Sequence, residues 1–91
     1  MNYLHKDLHL SEGEVVEVVL DHPANVQLLD APNFEQYKQG KPFRYFGGYS
    51  KESPVRLTAP SAGQWHIVID LGGGAGSVRA TLRTLSGVTT S

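Results

Sequence analysis

The stretch from residue 34 to residue 51 has the composition of a binding surface. It contains six of the eight aromatic residues and four of the eight lysines and arginines of the chain. Aromatic rings beside cations can stack on bases or sugars and neutralise phosphate. A simpler interpretation is that the phenylalanines fill the core, because a small domain needs its aromatic side chains for burial. If the stretch binds a ligand, the contact residues that we expect are Tyr37, Lys41, Arg44, Tyr45 and Tyr49.

A glycine-rich segment, residues 72–76, follows an apolar run. It is similar to the strand and loop with which methyltransferases hold S-adenosylmethionine, and roughly to a dinucleotide fingerprint. Glycines there let the backbone approach a ligand, and the next helix adds partial positive charge. Only fifteen residues follow Gly76, however, and they alternate as a strand does, so the βαβ context is missing. We therefore predict a hairpin connection, with cofactor binding together with His66 and Asp70 as the alternative.

The four histidines do not form a metal-binding motif. His5 and His9 share a face of one predicted strand but lie roughly 13 Å apart by strand rise, too far to chelate one ion together. A metal site whose ligands come from distant parts of the chain remains an alternative, but we expect the four histidines to be ordinary surface residues. No serine sits in a strand–turn–helix elbow, and Glu14 and Glu17 fall on opposite strand faces. We therefore predict no catalytic residue, no metal ligand and no cofactor, and we expect a protein that is not an enzyme.

The composition describes one small domain. A chain of 91 residues is long enough for a single hydrophobic core. The formal net charge of -1 argues against general nucleic-acid binding. We find no apolar segment of membrane-spanning or signal-peptide length, and no cysteine for disulfides or zinc thiolates. We expect a cytoplasmic domain over residues 1–86 with no membrane partner, followed by a flexible tail over residues 87–91.

The elements that must position these residues are mostly strands. The central one covers residues 63–71, where Trp65, Ile67 and Ile69 share one face. The one predicted helix covers residues 31–40, with Asn33 as N-cap, Gln36 three residues later and Gly40 after its last turn. The other predicted strands cover residues 3–10, 14–20, 25–30, 43–46, 53–59 and 77–85. This pattern is typical of an all-β antiparallel sandwich or barrel-like domain with one wet face and one short helix.

Four segments of the chain form a recognisable pattern: Ala24–Asp30, Asn33–Gly40, Tyr45–Tyr49 and Pro60–Gly73. With them, about residues 1–86 resemble an uncharacterised bacterial family, the domain of unknown function 1883. Members of that family stand alone or sit beside a TIR-type signalling domain, so the resemblance implies a sensing or interaction module. It implies no particular catalytic or binding residues. The Pro-x-x-Gly-x-Trp turn and strand that starts at Pro60 is also similar to small jelly-roll accessory domains, which would suit a binding role.

The sequence therefore predicts a non-catalytic module that binds a small ligand or a protein partner in the bacterial cytoplasm. One alternative is a small enzyme or cofactor binder that uses residues 72–76 with His66 and Asp70. A second is a structural subunit that forms a homo-oligomer through an exposed sheet edge.

Overall fold

Two antiparallel sheets and one helix make up the part of the chain that the computed structural model describes, residues 3–71 and 78–85. The elements in chain order are β1 (Tyr3–Leu10), β2 (Val15–Leu20), β3 (Ala24–Asp30), α1 (Ala31–Lys38), β4 (Phe46–Ser50), β5 (Val55–Thr58), β6 (Gly63–Asp70) and β7 (Ala80–Leu85). The larger sheet has the strand order β1-β6-β3-β4, and the smaller one has the order β5-β2-β7. The predicted β-sandwich with one short helix is confirmed.

The predicted central strand is β6, which lies between β1 and β3 in the larger sheet. Trp65, Ile67 and Ile69 point from it into the space between the sheets, as their period-two spacing predicts. The indole of Trp65 is buried, and its Nε1 donates a hydrogen bond to the carbonyl of Ser61 at 3.0 Å. The core between the sheets consists of Leu10, Val16, Val18, Ala24, Val26, Leu28, Ala59, Trp65, Ile67 and Ile69. β6 is thus the strand around which the larger sheet is built.

The outer face of the larger sheet is covered in part, and its edge strand β1 keeps outward residues such as His5, Asp7 and His9 exposed. Helix α1 packs on its outer face, where Leu29, Phe34 and Val68 form a second buried cluster. The outer face of the smaller sheet is largely open, and its middle strand carries Glu17 between Arg56 and Arg83. The helix is too short to be stable alone, so this packing is what holds it in place.

The N-terminus of α1 differs from the prediction. The N-cap is Asp30, whose Oδ1 accepts a hydrogen bond from the backbone N–H of Asn33 at 3.0 Å. The predicted N-cap, Asn33, lies inside the first turn because the helix begins directly after β3 and the last strand residue does the capping. The predicted C-terminal end is confirmed, since Gly40 follows the C-cap residue Gln39 with a φ of +72°.

The fourth strand begins where the sequence predicted a strand to end. Residues 43–45 are irregular, and β4 runs through Gly47 and Gly48, which pair with β3. Gly47 has a φ of +107°, and a Cβ there would lie 2.3 Å from the carbonyl oxygen of Val26. Only glycine fits this close approach of two backbones. The predicted hairpin at residues 72–76 and the predicted tail at residues 87–91 lie outside the described residues.

Candidate functional site

A groove of about 600 Å³ opens where the connection after α1 meets the end of β3 and the start of β6. Four aromatic residues line it, together with one cation, Arg44. We call this site the aromatic groove and define it by Phe43, Arg44, Tyr45, Phe46 and Trp65. The remaining lining residues are Leu28, Asp30, Asn33 and Pro60. The groove therefore combines stacking surfaces with a few polar groups, as small-molecule sites do.

Hydrogen bonds around Asn33 hold one wall of the aromatic groove. The side-chain oxygen of Asn33 accepts from the backbone N–H of Arg44 at 2.7 Å, which ties the connection to α1. Its amide nitrogen donates to Oδ1 of Asp30 at 2.7 Å, the same oxygen that caps the helix. The polar side chains at this end are therefore used to position Arg44 and its neighbours.

The aromatic rings of the groove contact one another in edge-to-face and tilted arrangements. The ring centroids of Phe46 and Trp65 are 6.1 Å apart with an angle of 67° between the rings, and those of Phe43 and Tyr45 are 5.4 Å apart at 43°. Such arrangements stabilise aromatic pairs beyond simple burial. Tyr45 and Phe46 are nevertheless 46% and 49% exposed, so a ligand could cover a large part of both rings.

Arg44 is the cation of the groove that is available to a ligand. Within residues 3–71 and 78–85, its guanidinium has no hydrogen-bond or ion-pair partner. Arg56 and Arg83, in contrast, both pair with Glu17 on the smaller sheet. A guanidinium offers a planar fork of N–H donors that matches a carboxylate or a phosphate.

The structure brings together two of the five residues that the sequence suggested for binding. Arg44 and Tyr45 line the aromatic groove, whereas Lys41 and Tyr49 are exposed outside its lining. Tyr37 is half-buried, and its hydroxyl donates a hydrogen bond to Oδ2 of Asp70 at 2.8 Å. Burial, together with this bond, holds the pKa of Tyr37 well above its usual range. Tyr37 therefore serves the packing of α1.

The groove also contains residues that the sequence did not single out as contacts. Phe43 and Phe46 belong to the aromatic stretch but were expected in the core, together with Phe34. Phe34 is indeed buried, whereas Phe43 is half-buried and Phe46 is half-exposed. Trp65 reaches the groove from a distant part of the chain, so only the strand order could have revealed its role.

Two of the histidines form a hydrogen-bonded pair beside α1, in which His5 is exposed, as expected of a surface histidine, and His66 is half-buried. Nε2 of His5 lies 2.9 Å from Nδ1 of His66, and the ring of Phe34 stacks on both imidazoles. Burial lowers the pKa of His66, and the nearby His5 lowers it further. Among the described residues, no group of three or more histidine, aspartate or glutamate side chains is arranged to hold a metal ion.

His66 and Asp70, the residues of the cofactor-binding alternative, lie on the same face of β6 and contact other side chains of this domain. Asp70 is 5% exposed and accepts hydrogen bonds from Asn25 at 2.9 Å and from Tyr37. His66 is bonded to His5. The glycine-rich segment of that alternative, residues 72–76, lies outside the described residues.

The fold and the groove define a small two-sheet β-sandwich domain with one helix on its larger sheet. Over residues 1–87, the chain matches a protein family described as Domain of unknown function (DUF1883). The chain therefore belongs to this family, which confirms the resemblance in its sequence. No curated protein and no solved structure matches it. The described residues contain no helix that is both long and apolar enough to cross a membrane.

Proposed function

We propose that this domain is a non-catalytic binding module and that the aromatic groove is its ligand site. The observation that carries the proposal is the position of two half-exposed rings, Tyr45 and Phe46, beside the guanidinium of Arg44, which has no partner among the described residues. Rings of this kind stack on a flat ligand, and the guanidinium binds an anionic group. The ligand class that fits is a small molecule with a flat ring and a phosphate or carboxylate, such as a nucleoside monophosphate.

The size of the groove supports a small ligand. Its volume of about 600 Å³ falls within the range of roughly 300–1,000 Å³ that is usual for small-molecule sites. The polar side chains at its end support binding rather than catalysis, because Asp30 and Asn33 are bonded to each other and Asn33 also to Arg44. Family resemblance adds the proposed setting, a sensing or interaction module in the bacterial cytoplasm, in some relatives beside a TIR-type domain.

Arg44 and Tyr45 are suited to a mutational test because both side chains are exposed and neither makes a hydrogen bond within the described residues. We would titrate the purified domain with adenosine 5′-monophosphate and with adenosine, by calorimetry and by thermal shift. A ligand at about a hundred times its Kd stabilises its protein by roughly 2.7 kcal/mol, which is a shift of several degrees for a domain of this size. We expect the monophosphate to bind more tightly than the nucleoside.

Arg44→Gln should reduce the affinity for the monophosphate to that for the nucleoside, because the lost interaction is with the phosphate. Tyr45→Ala should weaken the binding of both ligands, because both present the same adenine ring to the tyrosine. Arg79→Gln is the matched control, since Arg79 is an exposed arginine outside the groove lining whose observed hydrogen bonds are made by its backbone N–H and carbonyl. Equal binding by the wild type and Arg44→Gln, or no binding across a panel of ring-bearing anions, would reject this function.

A further inference from the structure

Helix α1 rests on a pair of hydrogen-bonded imidazoles. His5 on β1 and His66 on β6 are diagonal neighbours on the outer face of the larger sheet. Their rings are nearly parallel, with 18° between the planes, 5.1 Å between the centroids and 2.9 Å between Nε2 of His5 and Nδ1 of His66. The ring of Phe34 stacks on both, at 4.2 Å from His5 and 4.5 Å from His66. Phe34 is the buried residue of α1, so its stacking on this pair contributes to the docking of the helix together with its packing on Leu29 and Val68.

The bond between the two imidazoles tolerates one added proton but not two. A hydrogen bond needs one N–H and one lone pair, and a neutral pair supplies both. With one proton from solvent, one ring is an imidazolium donor and the other remains an acceptor. With a second proton, both facing nitrogens carry N–H groups, so the bond is lost and two positive charges face each other.

The surroundings of the pair disfavour the second proton. The ammonium of Lys38 lies 4.9 Å from the centroid of Phe34, and burial lowers the pKa of His66. His5 and Lys38 lower it further, whereas Asp7 and Asp30 act in the opposite direction. The other charged and titratable groups on the elements around the pair are Tyr3, Lys6, Asp7 and His9 of β1, Asp70 of β6, Asp30 of β3, and Glu35, Tyr37 and Lys38 of α1.

The same helix forms one wall of the aromatic groove. Asn33 of α1 holds the backbone of Arg44, and Phe43 packs against Tyr37 of α1 with ring centroids 5.2 Å apart. Phe43 also packs on the buried cluster that contains Phe34. Any loosening of Phe34 from the histidines therefore displaces the residues that position Arg44.

We propose that His5 and His66 make the aromatic groove sensitive to pH, with the groove formed while the pair holds at most one added proton and opened when the second proton binds. The proposal concerns the regulation of the site proposed above and rests on that function for its ligand. The docking of α1, however, can be measured without any ligand.

The direction of the effect follows from proton linkage. The pKa of His66 in the folded domain is below 6.5, the ordinary value, so the undocked form binds more protons as the pH falls. Docking is therefore complete above about pH 6.5 and weakens as the pH decreases from there through the folded pKa. Each unit by which the pKa is lowered corresponds to about a tenfold change in the docking equilibrium.

Amide hydrogen exchange of the unliganded domain at pH 7.5, 6.5 and 5.5 tests the docking of α1. After correction for the intrinsic rates, we expect the protection of α1 amides to fall about tenfold between pH 7.5 and 5.5 relative to β6. The double variant His5→Gln/His66→Gln keeps neutral donors and acceptors and should show no such fall. His9→Gln, on the same face of β1, is the matched control and should behave as the wild type. Unchanged protection in the wild type, or the same fall in the double variant, would overturn the proposal.

If the double variant does not fold, an NMR pH titration of the wild type tests whether protonation of the histidines moves Phe34. The ring signals of Phe34 should shift with the same midpoint as the step in the His66 signals in which the second proton binds. Signals of Phe34 that share no midpoint with any step of His66 would overturn the coupling.

A binding measurement then separates the regulation from the function. The probe is the methyl ester of adenosine 5′-monophosphate, whose single charge is constant over this pH range. We expect about tenfold weaker binding at pH 5.5 than at pH 7.5 in the wild type and equal binding in the double variant. Equal wild-type affinity at both pH values would overturn the regulation. If the probe binds at neither pH, the proposed ligand is rejected. If the exchange experiment still shows that α1 loosens at low pH, the pH-sensitive docking of the helix remains supported.

Discussion

The hydroxyl of Tyr37 donates a hydrogen bond to Oδ2 of Asp70 over 2.8 Å, which joins the last turn of α1 to the end of β6. The other carboxylate oxygen, Oδ1, accepts from Asn25 of β3 at 2.9 Å. One buried carboxylate thus connects the helix with two neighbouring strands of the larger sheet. This contact lies at the opposite end of α1 from the Asp30 cap, so the short helix is held at both ends.

Tyr37→Phe should destabilise the domain by about 2 kcal/mol, since a partly buried hydrogen bond to a charged acceptor is lost. The measurement is urea unfolding at pH 7 and at pH above 10. The pKa of Tyr37 is raised above its ordinary value of 10.0, so the unfolded chain loses this proton first and the wild type is destabilised as the pH rises past 10. The difference between wild type and variant should therefore shrink at high pH.

Tyr49→Phe is the control for Tyr37→Phe, because Tyr49 is 62% exposed and its hydroxyl makes no hydrogen bond within the described residues. It should leave the free energy of unfolding unchanged. Equal effects of the two substitutions would contradict the role of the contact between Tyr37 and Asp70.

Gly47→Ala should destabilise the domain more than Gly13→Ala. Both glycines have positive φ, +107° and +83°, so alanine is strained at either position. A Cβ at Gly47 would also lie 2.3 Å from the carbonyl oxygen of Val26, whereas nothing lies within 4 Å of one at Gly13. We expect a loss of about 1 kcal/mol for Gly13→Ala and about 3 kcal/mol for Gly47→Ala. Equal losses in thermal unfolding would show that β3 and β4 do not approach this closely.

The strands that the sequence predicted well are those with a regular alternation of apolar and polar residues. β6 is an example, because Trp65, Ile67 and Ile69 repeat at period two and the turn residues before it mark its start. β4 was misplaced because its pairing with β3 uses Gly47 and Gly48, which carry no side chain to reveal a pattern. The N-cap was misplaced because strand and helix are joined without a loop at Asp30.

The candidate site was predicted only where its residues are neighbours in the sequence. Arg44 and Tyr45 belong to one aromatic and basic stretch, and both line the groove. Trp65 lies beside them because of the order of the strands in the larger sheet, and the periodicity of a single strand does not determine that order. For the same reason the pair of His5 and His66 was missed, since it depends on the pairing of β1 with β6.

Glu17 should contribute to the pH dependence of stability in acid. It is 3% exposed on the outer face of the smaller sheet, with Arg83 at 2.6 Å and Arg56 at 2.9 Å. The hydrogen bond from Arg83 lowers the pKa of this carboxyl below its ordinary value of 4.5, against the effect of burial, and Arg56 lowers it further. Its stabilisation is therefore present above about pH 4.5 and is lost as the pH falls through the folded pKa.

Arg83→Gln should destabilise the domain at pH 7 and flatten the dependence of stability on pH between 5 and 3, because the pKa of Glu17 then returns towards its ordinary value. Urea unfolding across this range is the measurement. Arg79→Gln serves as the control, since the observed hydrogen bonds of Arg79 are made by its backbone N–H and carbonyl. An unchanged pH profile in Arg83→Gln would show that Glu17 does not depend on this arginine.

Comparison of Tyr45→Ala with Tyr49→Ala would decide whether ligand binding belongs to the aromatic groove or to the whole aromatic and basic stretch. The two tyrosines are both exposed, at 46% and 62%, but only Tyr45 lines the groove. We expect Tyr45→Ala to weaken the binding of adenosine 5′-monophosphate about fivefold or more, since stacking on an aromatic ring contributes about 1–3 kcal/mol. Tyr49→Ala should bind as the wild type does in the same calorimetric titration. A loss of affinity in Tyr49→Ala as large as that in Tyr45→Ala would move the site from the groove to the exposed face of β4.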